Sequence, residues 1–303
     1  VMVMLVIVTG SSAFLIFNSK FKQLKTTQAM ASPATDIMPP KQVRKAFEES
    51  NVNYLGGSSY ISPQAVINGS DHGFKRGILN LSNNKNINDS VLASLKGKTL
   101  YEINLSYTAV SDSGLKHLKK VKALRILRLD GLTKISERRL KELSGIKTLA
   151  KLTLDSTPVS DAGLKQVSRI KNLNCVSLAG CNQISDRGIA YLEDLPNLGQ
   201  ITISSTKGVS AEALSKLKHI YFIRANYCRF KDEDIKILCS NKKLASLCLV
   251  ECPLTDKSFE YFSTLSNLKF LNLENCTRIT PAAMEKFKVL KPDCEVKRFP
   301  IDL

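Results

Sequence analysis

The 303-residue chain contains no tryptophan, and aromatic residues make up 7% of it. That leaves little material for an aromatic-lined pocket or a base-stacking platform. Histidine is nearly as scarce: His72, His117 and His219 are the whole supply. Zinc-dependent or histidine-based catalysis has few ligands or bases to draw on. The sequence also lacks a glycine-rich phosphate loop, a nucleophile elbow and a His-x-x-x-His pair. His117 and His219 have no Cys or Asp partner at catalytic spacing. No catalytic residue, metal site, cofactor or small-molecule substrate is therefore expected, and the chain reads as a non-enzyme.

Charge of one sign is in excess. Lys and Arg number 44 against 27 Asp and Glu, a formal net charge of +17. Residues 1–75 hold seven basic and four acidic residues, leaving 37 and 23 for 76–303. Such a field favours anionic partners: acidic proteins, lipid headgroups or nucleic acid. With 43% apolar residues the chain is no disordered polyelectrolyte.

Val1 to Phe17 is apolar apart from Thr9-Gly10-Ser11-Ser12, and Lys20, Lys22 and Lys25 follow it. As a helix this run spans about 25 Å, slightly less than a bilayer core. A transmembrane or signal-anchor helix over 1–19 is expected, giving a single-pass membrane protein with the rest on the cytoplasmic side. A cleaved signal peptide is the other reading; its one cleavage-like site, Ala29-Met30-Ala31, lies far past the apolar run. Residues 20–40 read as a tether and 41–75 as an N-terminal capping segment.

From residue 76 a repeat governs the sequence. Apolar residues recur at Leu79, Ile103, Leu127, Leu152, Val176, Ile201, Ile223, Leu247 and Leu271, with gaps of 22 to 25 residues. Two positions on, the residue is apolar again, as at Leu81, Leu105 and Leu273. Three positions before stand Leu100, Leu124 and most of their counterparts. The spacing L-x-x-L-x-L gives a short strand with one apolar face. Five positions past each strand centre sits a small polar group or thiol: Asn84, Thr108, Thr157, Cys181, Thr206, Cys228, Cys252 and Cys276, with Leu132 interrupting. Such groups can bond backbone left unpaired at the turn. Ser111, Ser136, Ser160, Ser185, Ser210, Thr255 and Thr280 are placed to cap helices, and the acidic residue that commonly follows suits a helix N-terminus. One strand-turn-helix unit cannot bury both apolar faces; stacked units can. The expected fold is an α/β solenoid of about nine units over 76–298, closed by a short strand near Val296, with a tail at 299–303.

These residues resemble the leucine-rich repeat family. The Cys-bearing ladder and the helix starts Ser111-Asp112-Ser113-Gly114-Leu115 and Ser160-Asp161-Ala162-Gly163-Leu164 resemble its cysteine-containing subfamily, found in F-box-type ubiquitin-ligase receptors and short bacterial repeat proteins. The resemblance implies a horseshoe with strands on its concave wall and outward strand residues as the contact surface.

On that wall two patches are expected to bind a partner. Arg125, Arg128 and Lys151 form a basic cluster bordered by Tyr101 and Tyr107, and Tyr221, Phe222, Arg224 and Tyr227 form an aromatic-plus-arginine cluster with Phe270 two repeats on. Tyr and Arg are typical interface anchors. The expected partner is a protein of acidic character. The alternatives are a basic scaffold for anionic lipid or nucleic acid, and a substrate-recognition subunit of a ubiquitin ligase. The eight cysteines read as free thiols: four fill the ladder, and Cys175 and Cys248 fall on outward strand positions three repeats apart, beyond disulfide reach.

Overall fold

The computed structural model describes residues 77–298. The expected anchor helix over 1–19, the tether, the capping segment and the tail lie outside the described residues. No described helix is long and apolar enough to cross a membrane.

Among the described residues ten strands, each three residues long, form one parallel sheet in sequence order. They are β1 (Ile78–Asn80), β2 (Glu102–Asn104), β3 (Ile126–Arg128), β4 (Lys151–Thr153), β5 (Cys175–Ser177), β6 (Gln200–Thr202), β7 (Phe222–Arg224), β8 (Ser246–Cys248), β9 (Phe270–Asn272) and β10 (Glu295–Lys297). The central residue of each pairs with the centre of the next, from Leu79 opposite Ile103 to Leu271 opposite Val296. The centres of β1 to β9, and the residues two positions on, are buried in one apolar spine that runs from Leu79 to Cys294, with Val296 of β10 partly buried against it.

Between strands run nine helices: α1 (Asp89–Ser94), α2 (Asp112–Leu118), α3 (Glu137–Leu140), α4 (Asp161–Val167), α5 (Asp186–Ala190), α6 (Ala211–Ser215), α7 (Asp232–Leu238), α8 (Ser258–Ser263) and α9 (Pro281–Leu290). After α3 the chain continues as a 3-10 turn, Lys141–Gly145. Helices this short are marginal alone, so packing of residues such as Leu115 and Leu118 against the spine holds them. Strands stand about 4.8 Å apart and packed helices 8–10 Å, which bends the stack with its strands on the inner wall.

Most expected caps are observed: the hydroxyls of Ser111, Ser160, Ser185, Ser210 and Thr280 accept from amides of the first turn. Two are not. Ser136 makes no cap bond; its hydroxyl donates to Asp112 Oδ2 at 2.6 Å. Thr255 accepts from Lys257 N at 3.3 Å within a turn, and α8 starts later, at Ser258.

The acidic residue after each cap does more than face a helix dipole. Asp89, Asp112, Asp161, Asp232 and Asp256 each accept both the amide and the hydroxyl of the Ser or Thr that begins the next repeat's helix segment, as in Asp161 with Ser185 at 2.8 and 2.6 Å. Glu137 and Asp186 take the amide alone. The series skips one repeat at Ala211, which has no carboxylate, and the next segment starts at Lys231, whose amide turns to Asp234 of its own helix.

Candidate partner-binding face

Inner-wall side chains come from the two residues flanking each strand centre. On β2 and β3 they meet as an ion pair: Arg128 Nε donates to Glu102 Oε1 at 2.7 Å, and both side chains are largely buried. Arg128 therefore does not join Arg125 and Lys151 as a free cation, as the sequence suggested. Arg125 is exposed and Lys151 half-buried. Tyr101 borders them at 47% exposure.

Phe222 and Phe270, expected as contact residues, are 2% and 4% exposed. They lie on β7 and β9 on either side of Ser246. On the inside of a bend, neighbouring side chains converge, and a small residue between two rings lets them close over it. With Cys248 they make a separate apolar cluster, against which Tyr221 packs. The Arg224 guanidinium carbon lies 5.8 Å from the Phe222 ring centre, and Lys297 Nζ lies 5.6 Å from that of Phe270. Cys175 and Cys248, on their outward strand positions, are covered as well, at 7% and 1% exposed.

Tyr221 is half-buried, and its hydroxyl accepts from Gln200 Nε2 at 2.8 Å. Its ring lies against Gly199, where an added Cβ would stand 2.2 Å from Tyr221 Cε1. Burial pushes the Tyr221 hydroxyl above its ordinary value. Arg224 is half-buried, whereas Tyr227 is 55% exposed.

Tyr227 belongs to a turn that recurs after every strand from β1 to β9. The residue four past each strand centre has positive φ, whether Asn83, Gly131, Gly180 or Tyr227 itself (58°). Its amide donates to the next repeat's backbone, Tyr227 N to Val250 O at 2.8 Å. The recurring Asn and Gly at this offset were the sequence signal for that turn. Tyrosine there is strained. Tyr107 (φ 60°) covers Gly131, on which a Cβ would stand 2.2 Å from Tyr107 Cε1.

A polar thread runs beside these turns. Ser106 Oγ donates to Asp130 Oδ2 at 3.0 Å, and Asp155 N donates to Asp130 Oδ1 at 3.0 Å. Asp155 Oδ1 in turn accepts from Ser177 Oγ at 2.6 Å and Ala179 N at 2.8 Å. Burial, reinforced by the Asp130 charge, raises Asp155 to about 6.

The ladder thiols reach back one repeat. Cys181 Sγ donates to Leu154 O at 3.1 Å and Cys276 Sγ to Leu249 O at 3.1 Å, as Thr206 Oγ1 does to Leu178 O at 3.0 Å. Where Leu132 interrupts, the carbonyl one repeat back, Leu105 O, accepts from Thr108 Oγ1 of its own repeat at 2.7 Å. All eight cysteines are free and buried. No group of three His, Cys, Asp or Glu placed to hold a metal ion occurs among the described residues.

No protein-family model and no curated protein sequence matches the chain. Solved structures do. Internalin C2 of Listeria monocytogenes is 16% identical with a TM-score of 0.50, covering 70% of this chain and 84% of that one. Internalin F of the same organism is 19% identical with a TM-score of 0.47, covering 75% and 67%. The Rad7 and Elc1 complex of yeast gives 15% identity and a TM-score of 0.37, covering 86% and 88%.

Proposed function

The chain is a leucine-rich repeat solenoid, and we propose that it is a non-enzymatic, membrane-tethered interaction module that takes a protein partner on the inner strand wall. The observation that carries this reading is Tyr227: an aromatic residue held at positive φ, 55% exposed, three residues from Arg224. A turn that accepts Asn or Gly at lower cost supports a tyrosine when its ring is needed. Tyr101 supplies a second exposed ring five strands away, beside Arg125 and Lys151. Acidic groups on the partner suit the cations between them.

Site-specific photo-crosslinking tests the assignment. Benzoylphenylalanine in place of Tyr227 or Tyr101 in the full chain, expressed in its native cells, should capture the same discrete polypeptide. The same group at Ile237, on the helical face, should not. Equal capture from all three positions, or capture from Ile237 alone, rejects the inner wall as the binding face.

A further inference from the structure

The excess positive charge lies on one lateral edge of the solenoid. The nine segments that lead from each helix to the next strand contain 16 Lys and Arg against four Asp and Glu. The nine that lead from each strand to the next helix contain seven and five, and six of the helices they enter open on Asp or Glu. The two edges therefore differ in sign as well as in amount.

Within the basic edge the charges are aligned. Five residues before the strand centre the chain has Lys98, Lys122, Lys147, Lys171, Lys218, Lys242 and Lys291, seven of the nine repeats at that offset. Successive strands pair centre to centre without stagger, so a fixed offset falls on a line. At the first step the coils themselves are bridged, Thr99 with Lys122. Neighbouring lysines thus rise from backbones about one strand spacing apart. Of the last six, only Lys218 comes within ion-pair distance of a carboxylate among the described residues, Asp194 at 3.8 Å. Like charges so placed repel one another and destabilise the stack. Lys147, Lys242 and Lys291 each donate one bond to the protein, to Ser144 O, Thr264 Oγ1 and Leu265 O, but the fold does not require lysine at this offset, since Pro196 and Ser266 serve there.

We infer that this lysine row is a docking edge for an anionic bilayer surface. Three observations favour lipid over nucleic acid. Every basic residue in the row is lysine, a compact hydrated charge suited to disordered headgroups, and none is the bidentate arginine that reads ordered phosphates. No Phe, Tyr or Trp stands next to the row, and His219 beside Lys218 is the one ring adjacent to it, so bases would find little to stack on. The apolar run of Val1 to Phe17 is itself a sequence feature of a membrane-held protein. This edge is distinct from the inner wall, and its assignment stands or falls independently of the partner proposed there.

Lysine footprinting on the full chain tests it. The protein is bound to phosphatidylcholine vesicles with or without about 30% phosphatidylserine and pulsed with a water-soluble acylating reagent. The expected result is about threefold or greater protection of Lys122, Lys171 and Lys242 on the anionic vesicles alone, abolished by about 0.5 M salt. Lys134 and Lys207 on the opposite edge should react equally on both. Equal protection on the two vesicle types, protection of the opposite edge instead, or protection by duplex DNA without protection by anionic vesicles overturns the inference.

Discussion

Asp161 grips Ser185 of the following repeat at two points, accepting its amide at 2.8 Å and its hydroxyl at 2.6 Å. One carboxylate thus opens its own helix and fixes where the next begins. Asp161→Ala should destabilise the solenoid by about 1–3 kcal/mol, since it strands a donor pair that a charged acceptor satisfied. At about 2–4 °C per kcal/mol for a domain of this size, the loss is visible in a thermal melt. Asp161→Asn keeps one acceptor and should lose less. Equal losses for the two would mean that the second oxygen contributes nothing.

Asp155 sets a pH dependence. Its folded-state value, raised by burial and by Asp130 from 3.8 to about 6, means that the native protein keeps a proton the unfolded chain gives up in between. The associated stability is present below that window and lost as pH rises through it, up to about 3 kcal/mol. Asp155→Asn retains an acceptor for Ala179 N without the charge. Melts of both proteins from pH 4 to 7.5 should show the variant gaining on the parent as pH increases, and parallel curves would refute this.

The thiols should be inert until the fold opens. Burial pushes Cys252 and Cys239 up to about 12 and Cys248 to about 11, so little thiolate exists at neutral pH. Native protein should resist iodoacetamide, and denaturant should release all eight cysteines. At the ladder position a hydroxyl can replace the thiol, because Thr206 already makes the same reach. Cys276→Thr should stay within about 1 kcal/mol of the parent, and Cys276→Ala should cost more by leaving Leu249 O one donor short.

Gly131 and Gly97 separate backbone strain from crowding. Both have positive φ, but only at Gly131 would a Cβ meet a ring, that of Tyr107; at Gly97 there is open space. Each alanine substitution should cost about 1–2 kcal/mol for the left-handed backbone. Gly131→Ala should add a displacement of Tyr107, measurable as a change in tyrosine environment by near-ultraviolet circular dichroism. Equal melting losses with no spectral change would place no constraint on that ring.

The repeat was legible because apolar side chains report their period directly: every strand from Leu79 to Leu271 is centred where the spacing placed it, and the closing strand follows at Glu295–Lys297. The role of the acidic residue after each cap was only half legible. Its position implied a helix terminus, but its partner lies a full repeat away and depends on how coils stack. The binding wall was least so. Glu102 and Arg128 meet diagonally across adjacent strands, and Phe222 and Phe270 sink because Ser246 leaves room between them. Those outcomes follow from curvature and neighbouring volumes, which a list of outward positions does not carry.

The α9 helix opens on Pro281, where six other helices open on Asp or Glu. Proline has no side-chain acceptor to offer. A further coil laid against β10 would find no grip for its first serine or threonine, so lengthening the array in that direction by engineering calls either for a carboxylate at that position or for a new helix that caps itself, as Asp234 does for Lys231.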